Sequence, residues 1–83
     1  MVTPESIRTS IAEGLRCEHV DVRGDGHHWE AVVVSGQFEG LTRIRRHQLV
    51  YAALGDRMRE EIHALSMTTL TPAQWAAARD GAG

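Results

Sequence analysis

Five histidines and a single cysteine are the side chains of this 83-residue sequence best suited to coordination or nucleophilic chemistry. Imidazole is a common ligand for zinc, iron and copper. His27 and His28 sit side by side after Gly24-Asp25-Gly26, His63 comes late in the chain, His19 lies in an alternating segment and His47 in a helical one. Consecutive residues face opposite ways once a strand begins, so at most one of His27 and His28 can join His63 at a shared centre. Two imidazoles leave a tetrahedral metal half-coordinated, and a second protein would have to finish the site. The plainer expectation for loop histidines is solvation. His47, between Arg46 and Gln48, suits packing or hydrogen bonding.

The second chemical feature is basic. All nine basic residues are arginine, and Arg43, Arg45 and Arg46 crowd the start of a helical segment, with Arg57 and Arg59 further on. Cations are disfavoured at that end of the helix dipole, whereas arginine forks and helix N-termini both suit phosphate. The competing expectation is a solvated face paired with Glu39, Asp56, Glu60 and Glu61.

Nucleophilic chemistry has little support. Cys17 and His19 would stand near one another in a domain too small to offer much of a pocket. The sequence contains no GxxxxGK[ST] phosphate loop, no HExxH pair and no CxxC. No catalytic triad emerges, and the chain is not expected to be an enzyme. A formal charge of −2 argues against a general nucleic-acid coat, so such contact would be confined to a local patch. With 42% hydrophobic and 24% charged residues the composition is that of an ordinary globular domain. One domain is expected over residues 1–83, with its core in about 4–79. No apolar run reaches the ~20 residues of a membrane helix. The Met1-Val2-Thr3-Pro4-Glu5 start carries no export leader, and a lone cysteine suits a reducing compartment, so a cytoplasmic setting is expected.

The elements that must position these groups follow from periodicity. Thr3-Pro4-Glu5 reads as a cap with proline at the first helical position, and Ile7, Ile11 and Leu15 recur every four residues, predicting a helix from Pro4 to Arg16. Cys17 to Arg23 alternates, Gly24-Asp25-Gly26 has turn chemistry, and Trp29 to Val34 is β-branched. A hairpin whose loop ends in His27-His28 is predicted. Between Gly36 and Gly40 there is room for one helical turn. Thr42 then caps a long helix with an apolar stripe of Ile44, Leu49, Val50, Ala53 and Leu54. Ile62 to Leu70 suits a third strand, and Thr71-Pro72 opens a short helix over Ala73–Arg79. Trp29 and Trp75 are expected at the core or its edge rather than as base-stacking platforms.

In this order the segments Gly24-Asp25-Gly26-His27-His28-Trp29, Val33-Val34-Ser35, Phe38-Glu39-Gly40, Arg46-His47-Gln48-Leu49-Val50-Tyr51, Ile62-His63-Ala64-Leu65-Ser66 and Thr69-Leu70-Thr71-Pro72-Ala73-Gln74-Trp75 resemble the BolA family, more closely its IbaG-like branch. The likeness covers roughly residues 5–78. It implies an α/β (α+β) domain of type II K-homology-like topology, a three-stranded sheet with helices packed on one face. It also implies a monothiol CGFS glutaredoxin as partner, in a heterodimer bridging a 2Fe-2S cluster. In the family picture the glutaredoxin supplies its cysteine and a bound glutathione thiol. The BolA-like protein supplies a histidine at the start of the last strand and a histidine or cysteine from the hairpin loop. Carried over, the ligands are His63 and His28, the residue directly before Trp29, with His27 as the alternative loop ligand.

Imidazole in place of thiolate removes negative charge and raises the cluster's potential, and protonation of either ring competes with the metal. The cluster is therefore expected to be labile, suiting assembly, transfer or iron and redox sensing. No cofactor is expected to stay tightly bound to the isolated protein, a monomer or weak homodimer. The family's loop-cysteine role does not transfer to Cys17, which precedes the loop. The alternative is a DNA-binding transcriptional regulator acting through Arg43, Arg45 and Arg46. Against it, Arg45-Arg46-His47-Gln48 departs from the family's Arg-His-Arg, and Phe38-Glu39-Gly40-Leu41 lacks the GxxG with which K-homology domains clamp a backbone.

Overall fold

A computed structural model describes residues 2–55 and 65–82. Its elements are helix α1 (Pro4–Gly14), strands β1 (His19–Gly24) and β2 (Trp29–Val34), a 3-10 turn (Gly36–Phe38), helix α2 (Arg43–Leu54), strand β3 (Leu65–Leu70) and helix α3 (Pro72–Ala82). The sheet order is β1-β2-β3. β1 and β2 pair antiparallel with Val22 opposite Ala31 and Gly24 opposite Trp29. β2 and β3 run parallel with Leu65 beside Trp29 and Leu70 beside Val34. A parallel pair needs a long crossover, and the segment containing the 3-10 turn and α2 provides it.

α1 starts where Thr3-Pro4 predicts. The Thr3 hydroxyl accepts from the Ser6 N–H and the Ser6 hydroxyl accepts from the Thr3 N–H, each at 3.0 Å, a reciprocal cap. The helix stops at Gly14 rather than Arg16. The Arg16 N–H instead donates to Gln37 Oε1 (2.9 Å), and its carbonyl accepts from the buried Ser35 hydroxyl (2.6 Å). These bonds pull the chain toward the 3-10 turn. Gly14 is where α1 crosses α2: a Cβ there would lie 2.7 Å from the Ala53 Cα, so only glycine lets the two backbones approach this closely.

One face of the sheet carries Val22, Trp29, Ala31 and Val33, packed with Ile7, Ile11 and Leu15 of α1, Phe38 of the 3-10 turn, and Val50 and Leu54 of α2. The expected stripe of α2 is therefore present with one exception, Ile44, which is 70% exposed. α1 and α2 lie on one face as expected, but α3 departs from that arrangement. Its Trp75 stacks on His19 at a centroid distance of 4.9 Å. By alternation from Val20 and Val22, His19 points to the opposite face, as does its fully buried register partner Val34. Trp75 thus packs at the second face instead of the main core.

Element ends differ modestly from expectation. β1 begins at His19 rather than Cys17, and α3 runs on to Ala82. α3 is fixed at its start by a box the Thr71-x-x-Gln74 spacing encodes, in which the Gln74 N–H donates to the Thr71 hydroxyl (3.1 Å) and the Thr71 N–H to Gln74 Oε1 (2.9 Å). β3 is described from Leu65; Ile62, His63 and Ala64 of the expected strand lie outside the described residues, as do Arg57 and Arg59.

Candidate metal-ligand loop and basic groove

The hairpin loop is organised by Asp25. Its Oδ1 accepts from the backbone N–H of His27 and of His28, both at 2.8 Å, and its own N–H donates to the His28 carbonyl at 3.2 Å. Gly26 takes a φ of +98°, a conformation glycine adopts freely. The His28 main chain is thus held at both its N–H and its C=O, whereas that of His27 is held through its N–H. Both histidines are exposed. The loop was legible as a turn, but the carboxylate that builds it was not singled out, although Asp at the head of a turn is its usual signal.

Two backbone donors hold the Asp25 carboxyl below its ordinary range, the His28 N–H contributing most and the His27 N–H next. A depressed carboxylate pKa contributes order that is present above the ordinary aspartate value and is lost as pH falls through the lowered one. In a pH titration followed by amide NMR, the His27 and His28 N–H resonances are expected to move together with an inflection below 3.8, the ordinary value. An Asp25→Ala variant is expected to show neither the inflection nor the downfield positions. Inflection at or above 3.8 would contradict the hydrogen-bonded loop.

The register of the sheet fixes what stands beside this loop. Trp29, directly after His28, pairs with Leu65, so the chain entering β3 arrives at the loop's end of the sheet. His63 lies outside the described residues. Among the described residues no group of three or more His, Cys, Asp or Glu side chains is arranged to hold a metal ion. The imidazoles described at this loop, those of His27 and His28, are both exposed.

The remaining candidates are placed elsewhere. The Cys17 thiol is pushed up in pKa by burial and, next, by the Glu18 carboxylate, and its Sγ donates to the Leu15 carbonyl (3.3 Å). It is a protonated, hydrogen-bonded thiol at neutral pH, unlike a poised nucleophile. His19 is committed to the Trp75 stack, whose indole also lies 4.5 Å from the Arg79 guanidinium.

The arginine cluster divides. Arg43 and Arg45 are exposed. Arg46 is an internal tie, donating from Nε to the Leu41 carbonyl (3.0 Å) and from Nη1 to the Thr69 carbonyl (3.2 Å) and Gln74 Oε1 (2.9 Å), with its guanidinium 5.9 Å from the Phe38 ring centroid. It joins the crossover, β3 and α3. Beside it opens a groove of about 340 Å³ between the start of α2 and the end of β3, with Arg43 and His47 on one wall and Thr68 to Leu70 on the other. No helix among the described residues is long and apolar enough to cross a membrane.

Comparison with known proteins adds to this geometry. The BolA-like protein family model matches residues 3–74. Human BolA-like protein 1 is 40% identical over 80 residues, which cover 84% of this chain and 58% of the relative. The chain thus spans a little under three-fifths of that relative's length. The acid stress protein IbaG of Escherichia coli K12 is 35% identical over 71 residues, covering 84% of each chain. Among solved structures, a bolA protein homologue from Coxiella burnetii superposes with a TM-score of 0.83 at 49% identity, over 92% of this chain and 99% of the other. Yeast Fra2 gives 0.74 at 30% identity over 90% and 85%. The BolA domain of SufE1 from Arabidopsis thaliana gives 0.74 at 28% identity over 84% and 92%.

Proposed function

The chain belongs to the BolA family, and from that premise we propose that it is a non-enzymatic partner of a monothiol CGFS glutaredoxin, sharing a 2Fe-2S cluster for assembly, transfer or iron and redox sensing. Family membership together with the likeness to yeast Fra2 and to the BolA domain of SufE1 is consistent with a role in iron-sulfur biology. The observation that supports the finer reading best is the pairing of Trp29 with Leu65, which brings the loop histidine and the approach to β3 to one end of the sheet.

In this reading His28 and His63 would supply imidazole ligands to the cluster, and the partner's cysteine and glutathione would supply its thiolates. The cluster contributes a labile inorganic cargo. The chain's own part is to present the His28 imidazole on a loop whose backbone Asp25 fixes in advance. Cys17, protonated and hydrogen-bonded to Leu15, takes no part.

Titration of the chain into a CGFS glutaredoxin with glutathione, with and without iron and sulfide, tests this. The expected result is a heterodimer whose visible spectrum differs from that of the glutaredoxin homodimer, with tighter association when iron is present. Association of equal affinity in both arms would make the chain an adaptor whose histidines are incidental. No association in either arm would remove the proposed partner.

A further inference from the structure

The groove at the far end of β3 has a lining that the loop site does not use. Arg43, Arg46 and His47 of α2 lie three and four residues apart and so share one face, opposite Thr68, Thr69 and Leu70, with Gln74 closing one end. Among the described residues no acidic side chain lines it, in a chain whose formal charge is −2. Gln74 Oε1 already accepts from Arg46 and Thr71, which leaves its amide N–H donors for other partners. Ile44, next in sequence to the groove-lining Arg43, is an apolar side chain left 70% exposed.

The wall formed by β3 is a sheet edge. The Leu70 carbonyl accepts from the Ser35 N–H at 3.0 Å and so points toward β2. Main-chain groups alternate along a strand, so those of Thr69 and Met67 point outward, and Arg46 reaches the Thr69 carbonyl from that side. An outward-facing edge is a template for an added strand.

We infer that this groove is a second docking surface, whose occupant is an extended acidic peptide segment of another protein, paired along the β3 edge with its carboxylates on Arg43 and His47 and an aliphatic side chain against Ile44. Charge complementarity selects the acidic occupant, and the edge selects the extended one. The groove wall begins at Thr68, three residues or ~10 Å at ~3.3 Å per residue from Leu65 at the loop's end of the sheet.

The test uses the full chain, without iron, glutathione or glutaredoxin, so its outcome is independent of the cluster. The probe is a capped octapeptide alternating Glu with Val, followed by fluorescence anisotropy and by amide NMR. Three competitors are run beside it: the same peptide with Lys for Glu, inorganic phosphate, and single-stranded oligothymidylate. The expected result is saturable binding of the acidic peptide, at least tenfold tighter than the lysine peptide, with amide shifts at Met67 to Thr69 and along the first turn of α2. Arg43→Glu with His47→Glu is expected to weaken it at least tenfold, and Ile44→Ser at least threefold. If the double variant fails to fold, Arg43→Glu alone, at an exposed position, is expected to weaken binding at least threefold. Equal binding of the two peptides, shifts elsewhere, or tighter binding of oligothymidylate at matched charge would each overturn the proposal, the last in favour of a nucleic-acid surface. Displacement by millimolar phosphate would reduce it to a simple anion site.

Discussion

His28→Ala is expected to abolish the spectrum that distinguishes the mixed glutaredoxin complex from the glutaredoxin homodimer, while His27→Ala leaves it close to that of the unaltered chain. The two residues are adjacent, equally exposed and chemically identical, so the difference has to come from the backbone. His28 is fixed at both ends of its peptide unit, by the Asp25 carboxylate at its N–H and by the Asp25 N–H at its carbonyl. It also directly precedes the strand residue that pairs with Leu65. A ligand rooted there spends little conformational entropy on reaching its metal. Even the groups that merely orient a metal ligand are worth about 10- to 100-fold in affinity, so loss of a direct ligand should cost at least about tenfold. His63→Ala is expected to match His28→Ala. A damaging His27→Ala with a silent His28→Ala would move the loop ligand one residue back.

Most of the framework was legible because local chemistry and global packing agree in it. Thr3-Pro4, Thr42 and Thr71-Pro72 each cap a helix where the spacing predicted one. The alternation of Val20 and Val22 and the apolar run after Trp29 became the hairpin. The misreadings share a cause: side chains whose role is set by residues distant in sequence. Gly14, which the periodicity places inside a helix running to Arg16, ends α1 and admits Ala53 of α2. Ile44 fits the apolar period of α2 but is left 70% exposed. Trp75, expected at the core or its edge, is half-buried and stacks on His19 at the second face, a partner that spacing does not reveal. Arg46 stands in a run of three arginines that looks like one anion patch, yet its donors are taken by carbonyl and amide oxygens of three other segments. The loop histidines were identifiable by type and position, while the Asp25 bonds that separate them depend on turn geometry that spacing does not specify.

Trp29→Ala is expected to have the largest effect on stability, lowering the free energy of unfolding by about 3–5 kcal/mol, the range for removing a large aromatic from a core. The indole is 3% exposed and packs in the cluster with Ile7, Ile11 and Phe38. Its edge also covers Gly24, across the hairpin, so closely that a Cβ on Gly24 would fall inside van der Waals contact with the indole ring and lie 2.8 Å from the His28 carbonyl. One ring therefore serves the core on one side and the base of the loop on the other. Domains are stable by only about 5–15 kcal/mol in all, so urea denaturation should find the midpoint of Trp29→Ala far below that of the unaltered chain and that of Trp29→Phe between the two. Gly24→Ala separates the two roles. It removes no core volume but forces the ring and the His28 carbonyl apart, so it is expected to disturb the His27 and His28 amide resonances while costing less than Trp29→Ala. If Gly24→Ala left those resonances in place, the loop would owe its shape to Asp25 alone, and Trp29 would be a core residue with no part in holding the ligand.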